Sequence, residues 1–332
     1  MFRTIPIFIP EKACPFRCIY CNQYNIASQI EIPQPEEAVG IIEKYLATFP
    51  KEGIKKIGFF GGSFTGMSIE EQTRYLKIAQ PYLKSGQIES IQLSTRPDYI
   101  NADILDNLQQ YGVRTIELGA QSLDNEVLKK SGRGHTVEEV EQASVLIKQY
   151  GFELGLQMMV GLPGDSFEKS MLTAKTIAKF KADYTRIYPT LVIKDTDLEK
   201  LYLAGQYTPL SLEEAVRWSK ELLKFFTFHH ITILRMGLHP SEGLLTGSSL
   251  VAGPFHISFR ELVLTSLFEE LIFSKINQDK KEKIIIRVSP KQINAAIGYY
   301  SQNRNKLETI FKDVKFKTDE TLKKGCLTIE YE

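Results

Sequence analysis

The sequence predicts an α/β fold, a partial or full (β/α) barrel that carries a small α/β appendage at its C-terminus. Short β-rich runs alternate with amphipathic helical stretches, and that order builds right-handed βαβ units around a parallel sheet. Several of the runs are apolar on both faces, as parallel strands covered by helices must be. The 332 residues suffice for one large domain and a small companion.

Taken in order, the strands are expected at Ile5–Pro10, Lys56–Gly61, Ser90–Thr95, Thr115–Ala120, Glu153–Val160, Tyr184–Val192 and Ile231–Gly237. Helical periodicity fills the gaps at Pro35–Thr48, Ile69–Leu83, Ala102–Gln110, Val137–Tyr150 and Phe167–Phe180, and again at Thr196–Ala204 and Ser211–Phe228. Six or seven such units fit a barrel whose chemistry sits at the C-terminal ends of its strands. The core with its extension is assigned to residues 1–275 and a small domain to 276–332. In the latter, Lys283–Val288 reads as a strand, Pro290–Phe311 as a helix, and Val314–Lys317 with Cys326–Tyr331 as a closing hairpin. Lys and Arg outnumber Asp and Glu there, which suits either a solvated face or contact with a polyanion.

Composition is that of an ordinary soluble domain: 43% hydrophobic, 24% charged, net charge +1. This excludes a strongly basic nucleic-acid coat but leaves room for a local basic patch. Met1–Pro10 is a short apolar run with Arg3 as its charge, too short for a signal peptide and suited to a buried strand. No stretch is long enough to span a bilayer, so no membrane association and a cytoplasmic location are expected.

Three of the four cysteines, Cys14, Cys18 and Cys21, fall within eight residues after the first strand. In a reducing compartment such crowding points to metal binding or catalysis rather than disulfides. Structural zinc wants a fourth protein ligand, and the five histidines, His135, His229, His230, His239 and His256, are all distant in sequence. A 4Fe–4S cube on three thiolates instead leaves one iron open to an exogenous ligand. The remaining Cys326 is expected to be a small buried hydrophobe.

Polar residues then recur at or near strand ends. Gly61 and Gly62 permit close backbone approach, although a strand-to-helix turn would need them equally. Arg96 can bind a carboxylate or phosphate bidentately, or pair with Asp98 at the surface. Glu117 lies among apolar residues, where a carboxylate is costly to bury unpaired. Gln157 is a second polar residue inside an apolar strand, facing either the lumen or a satisfied core position. Arg186 is a candidate for a carboxylate or the substrate. Arg235, His239 and His256, in loops dense in Gly and Pro, are candidates for phosphate recognition or acid–base work, or are plain turn residues.

The cysteine loop resembles that of the radical S-adenosylmethionine (SAM) superfamily. The strings STRPDYI (Ser94–Ile100), IELGAQS (Ile116–Ser122), GRGHT (Gly132–Thr136), GLPGD (Gly161–Asp165) and IYPTLVIKDT (Ile187–Thr196) resemble the radical SAM core of the Elongator catalytic subunit and its shorter bacterial relatives. The likeness covers roughly residues 1–240; oxygen-independent coproporphyrinogen dehydrogenase is a more remote relative. The resemblance implies a 4Fe–4S cluster on Cys14, Cys18 and Cys21, with SAM chelating the open iron and cleaved reductively to a 5′-deoxyadenosyl radical that abstracts hydrogen. It places Tyr20 against the adenine, the Gly61–Gly62 carbonyls on the SAM amino group, and Glu117, Gln121 and Ser122 near its ribose and methionine. The backbone at Tyr188 and Leu191 would lie by the adenine. Ser63 stands where many members carry Glu, which puts a side-chain role there in doubt. An electron donor such as flavodoxin or ferredoxin is implied, and tRNA is the substrate the Elongator likeness suggests. The chain is expected to have no room for the acetyltransferase domain of Elongator. A small-molecule substrate such as a tetrapyrrole precursor, a non-catalytic iron–sulfur redox sensor, and a zinc-stabilised RNA-binding module remain as other readings.

Overall fold

Ile5, Ile7 and Ile9, at alternate positions, put one face of the first strand wholly inside the protein. The same two-residue period runs through the strands that follow. The computed structural model describes residues 3–9, 18–27, 33–50, 52–277 and 283–332. It divides into one unit of Met1–Ser211 with Phe225–Phe255 and another of Leu212–Lys224 with His256–Glu332.

The first unit is built on β1 (Arg3–Ile9), β2 (Lys55–Gly61), β3 (Ser90–Thr95), β4 (Val113–Gln121), β5 (Glu153–Val160), β6 (Tyr184–Pro189) and β8 (Thr232–Met236), with β7 (Val192–Ile193) and β9 (Leu250–Ala252) forming a separate antiparallel pair. The seven long strands form one parallel sheet in the order β1-β2-β3-β4-β5-β6-β8, a curled half-barrel with helices. Each strand from β1 to β5 neighbours the next in sequence, and β6 is followed in the sheet by β8. Helix starts are marked chemically. Ser68, Asn101, Asp124, Thr136, Ser166 and Thr196 each accept a bond from a backbone N–H in the first turn of the helix they open. Ser68 and Thr136 add the reciprocal carboxylate, from Glu71 and Glu139.

The expected strand Tyr184–Val192 is two elements rather than one. Pro189 ends β6, since it has no N–H for a further ladder bond, and Val192–Ile193 turns away to pair with Leu250–Ala252.

The second unit carries a three-stranded sheet of β10 (Lys283–Val288), β11 (Asp313–Thr318) and β12 (Leu327–Tyr331). The expected hairpin between the last two strands does not form. Both flank β10, which pairs parallel with β11 and antiparallel with β12. Ile284, Ile285 and Ile286 are all buried, so this strand is apolar on both faces and takes the centre. Phe268 and Ile272 of the helix Phe259–Phe273 pack on it together with Leu307 and Phe311. The expected helix Pro290–Phe311 is also broken. Gly298 at φ 91°, followed by left-handed Tyr300 and Ser301, separates Ile293–Ile297 from Gln302–Glu308. The break is held by Thr265: its hydroxyl accepts from the Tyr299 N–H and its carbonyl from the Asn303 amide. Cys326 is exposed, contrary to expectation; it lies in the turn before β12, and the inward position goes to Leu327. Among the described residues no helix is long and apolar enough to cross a membrane.

Candidate active site

The strand period separates two chemistries. Ile116, Leu118 and Ala120 of β4, and Leu154, Leu156 and Met158 of β5, occupy one fully buried face. The opposite face carries Glu117, Gly119 and Gln121, then Gly155 and Gln157, then Arg186 and Tyr188 of β6. Register sets Gln157 beside Arg186, and Arg186 beside Arg235 of β8.

On this face the buried Glu117 carboxylate is paired, as its burial requires. Arg186 donates from Nε to Oε2 at 2.5 Å and from Nη2 to Oε1 at 2.9 Å. Its Nη1 reaches the Tyr188 hydroxyl at 3.4 Å, and the guanidinium lies 5.1 Å from the Phe60 ring centroid. Burial alone would lower the Arg186 pKa; the Glu117 carboxylate and Tyr188 outweigh it and raise the value, so the charge is fixed. Room for Glu117 comes from Gly155, where a Cβ would stand 2.7 Å from the glutamate Cγ. One layer on, Gln157 Nε2 donates to Gln121 Oε1 at 3.0 Å, and Gln121 adopts φ 64°. Ser122 is buried, and its hydroxyl accepts from the Asp124 N–H.

Of the three clustered cysteines, Cys14 lies outside the described residues. Cys18 is buried and Cys21 half-buried, and the Cys21 N–H closes a turn on the Cys18 carbonyl at 3.0 Å. Tyr20 is buried with Cys18 among Val127, Leu162, Val192, Leu198 and Tyr207. Burial, then the neighbouring Cys18, push its phenol well above the ordinary value, so it stays neutral. The turn after the helix Asn125–Lys130 docks this loop: the Ile19 N–H donates to the Ser131 carbonyl at 3.2 Å. Arg133 in the same turn donates from Nη1 to Cys18 Sγ at 3.3 Å and from Nη2 to the Gly119 carbonyl at 2.6 Å. One side chain therefore ties the cysteine loop to the C-terminal end of β4.

At the end of β2, Gly61 has φ 113° and its carbonyl accepts from Gln23 Nε2 at 2.8 Å. A Cβ there would sit 2.6 Å from the Ile9 carbonyl oxygen, so only glycine fits. The Gly62 N–H donates to that same carbonyl at 2.7 Å. Ser63 is buried. The ion pair of Arg96 with Asp98 forms, but it is not a surface pair. Arg96 is 2% exposed, and its Nε and Nη2 grip the carboxylate at 2.9 Å each. His135 is buried nearby, its pKa lowered to about 3 by burial and by the charges of Arg133 and Arg96.

Leu191 is buried against Ile193 and Leu244. Arg235 donates to His239 Nδ1 at 3.3 Å, and burial followed by that cation lowers the His239 pKa. His256 belongs to the second unit, where its ring meets Tyr299 edge-on at 5.2 Å and its Nδ1 accepts from the Ser258 N–H. Arg133, Gly119 and Gln23 are the site residues that sequence reasoning missed. The GRGHT string contains Arg133, but nothing local in it points to a sulfur 115 positions earlier.

Among the described residues no set of three His, Cys, Asp or Glu side chains gathers as a metal site, so no described group of those types joins Cys18 and Cys21 as a further ligand. Cys18 and Cys21 are soft thiol donors of the kind that hold an iron–sulfur cluster.

Comparison with known proteins gives a consistent picture. Residues 9–177 match the radical SAM superfamily, and residues 182–269 match the radical SAM C-terminal domain. The chain is 29% identical over 246 residues to the tRNA uridine(34) acetyltransferase of Methanocaldococcus jannaschii, covering 62% of this chain and 46% of that protein. It is 34% identical over 156 residues to Elongator complex protein 3 of Saccharomyces cerevisiae, covering 46% and 27%. The chain thus spans about half, or less, of the length of these curated relatives. The solved structure of archaeal Methanocaldococcus infernus Elp3 with an N-terminal deletion superposes with a TM-score of 0.63 at 22% identity, over 85% of this chain and 66% of that one.

Proposed function

Because this chain belongs to the radical SAM superfamily, whose match covers half its length, we propose that Cys14, Cys18 and Cys21 hold a 4Fe–4S cluster and that the enzyme acts on tRNA. Held by those three thiolates beside SAM, such a cluster would supply one-electron chemistry for reductive SAM cleavage and hydrogen abstraction from the substrate. The contact that carries this reading is Arg133 donating to both Cys18 Sγ and the Gly119 carbonyl. It joins the cysteine loop to the strand end where Glu117, Gln121, Gln157 and Arg186 converge.

The chain's own residues account for the remaining requirements. The Gly61 and Gly62 backbone would receive the SAM amino group, with Ser63 buried behind it. Tyr20 would lie against the adenine, with the backbone at Tyr188 and Leu191. The Glu117–Arg186 pair and the Gln121–Gln157 amides would orient the ribose and methionine portions beside Ser122, and Arg96 would act by holding Asp98 and the strand end in place. Arg235 and His239 would meet substrate phosphate, with His256 a further candidate. The thiolates need a reducing compartment, which fits the cytoplasm and a donor such as flavodoxin or ferredoxin.

The tRNA assignment is supported by the names of the curated relatives, tRNA uridine(34) acetyltransferase among them. Their acetyl transfer is not carried over, because the similarity covers about half of each. Mass spectrometry of tRNA nucleosides from cells with and without the protein tests this. A modified nucleoside lost on deletion supports the reading; an unchanged tRNA profile with an altered small metabolite would replace it.

A further inference from the structure

We infer that Arg133 is a positioning residue that sets the reduction potential of the cluster, an inference that rests on the reading of Cys18 as a cluster ligand. Arg133 is 7% exposed, and its guanidinium is held from more than one side. Its Nη1 donates to Cys18 Sγ and its Nη2 to the Gly119 carbonyl. The backbone that bears it is also fixed: the Arg133 N–H donates to the Leu128 carbonyl at 3.0 Å, and Gly132 turns the chain at φ 60°.

Gly119 makes the approach possible. A Cβ at that position would stand 2.8 Å from Arg133 Nη2 and equally close to Gln121 Nε2. Both are tips of flexible side chains, so an added methyl would move the guanidinium rather than break the strand.

The electrostatics give the sign. One-electron reduction adds negative charge to the cluster and its thiolates. A buried cation that donates N–H to one of those sulfurs stabilises the reduced state more than the oxidised one, and so raises the potential. Low dielectric around the buried pair strengthens the effect relative to water. Loss of the guanidinium makes the cluster harder to reduce without removing a ligand.

The test compares the wild type, Arg133→Met and Gly119→Ala, each reconstituted anaerobically with iron and sulfide. Iron content is assayed first, and the midpoint potential is then read by electron paramagnetic resonance during a dithionite titration. Met keeps the length and burial of the side chain without charge; Gly119→Ala keeps the charge and displaces it. The expected result is loaded protein in all three, with both variants shifted to lower potential by about tenfold in the reduction equilibrium, about 59 mV for one electron. Should Arg133→Met fail to load, the Gly119→Ala potential decides. Loaded variants with the wild-type midpoint would overturn the inference while leaving the cluster intact. A wild type that takes up no iron would overturn the cluster assignment itself.

Discussion

A carboxylate placed among apolar residues demands a partner, and at Glu117 that partner is Arg186, 69 positions later in the chain. The bidentate geometry fixes both side chains and keeps Arg186 charged. Removing one member leaves the other buried and unpaired, which is more costly than never having had the pair. Glu117→Ala is therefore expected to destabilise the fold by about 3–5 kcal/mol in urea or thermal unfolding. A change within about 0.5 kcal/mol, the range of an ordinary surface substitution, would contradict the pairing. Glu117 and Gln157 were legible in the sequence because each interrupts an apolar strand. That they pair with Arg186 and Gln121 was not, because a contact between strands leaves no local trace. Arg133 shows the same limit: a lone arginine among glycines reads as a turn until the fold delivers a thiol to it.

At the scale of elements, the turn Gly161–Asp165 between β5 and the helix Phe167–Lys179 is closed by one side chain. Asp165 accepts from the Gly161 N–H, the Ser166 N–H and the Ser170 hydroxyl. Burial raises its pKa from 3.8 to about 6 against the opposing pull of those bonds. The folded protein thus binds a proton at a pH where the unfolded chain has already released it. The stability from the neutral carboxyl is complete below about 3.8 and is lost as pH rises through 6. Relative to Asp165→Asn, which cannot ionise, the wild type should lose melting temperature between about pH 4 and 6 and then hold a constant difference. A difference independent of pH would show that the carboxyl is not raised. The long parallel strands were legible from their apolar runs and the turns that bound them. The errors came where one residue redirects the chain: Pro189 splits the sixth strand, and Gly298 breaks the helix expected to follow β10. The closing hairpin failed for a topological reason, since sequence adjacency favours pairing β11 with β12 while burial on both faces draws β10 between them.

Over the whole molecule, net charge near zero conceals how basic groups are distributed. In the second unit Lys283, Arg287 and Lys306 are paired with Glu332, Glu330 and Glu269. Those three basic groups are therefore already engaged by acid on neighbouring elements, while in the first unit Arg235 donates to a histidine. If tRNA is the substrate, its affinity should fall with the logarithm of salt concentration, with a slope of about −0.7 to −0.9 per phosphate contacted. Arg235→Ala should weaken binding and flatten that slope by about one contact; binding indifferent to salt would speak against RNA. If the cysteine loop arms this barrel for radical chemistry, the anaerobically reconstituted protein incubated with SAM and dithionite should release 5′-deoxyadenosine. The wild type is expected to form that product and Cys18→Ala none; a wild type fully loaded with iron and sulfide that leaves SAM intact would refute the assignment.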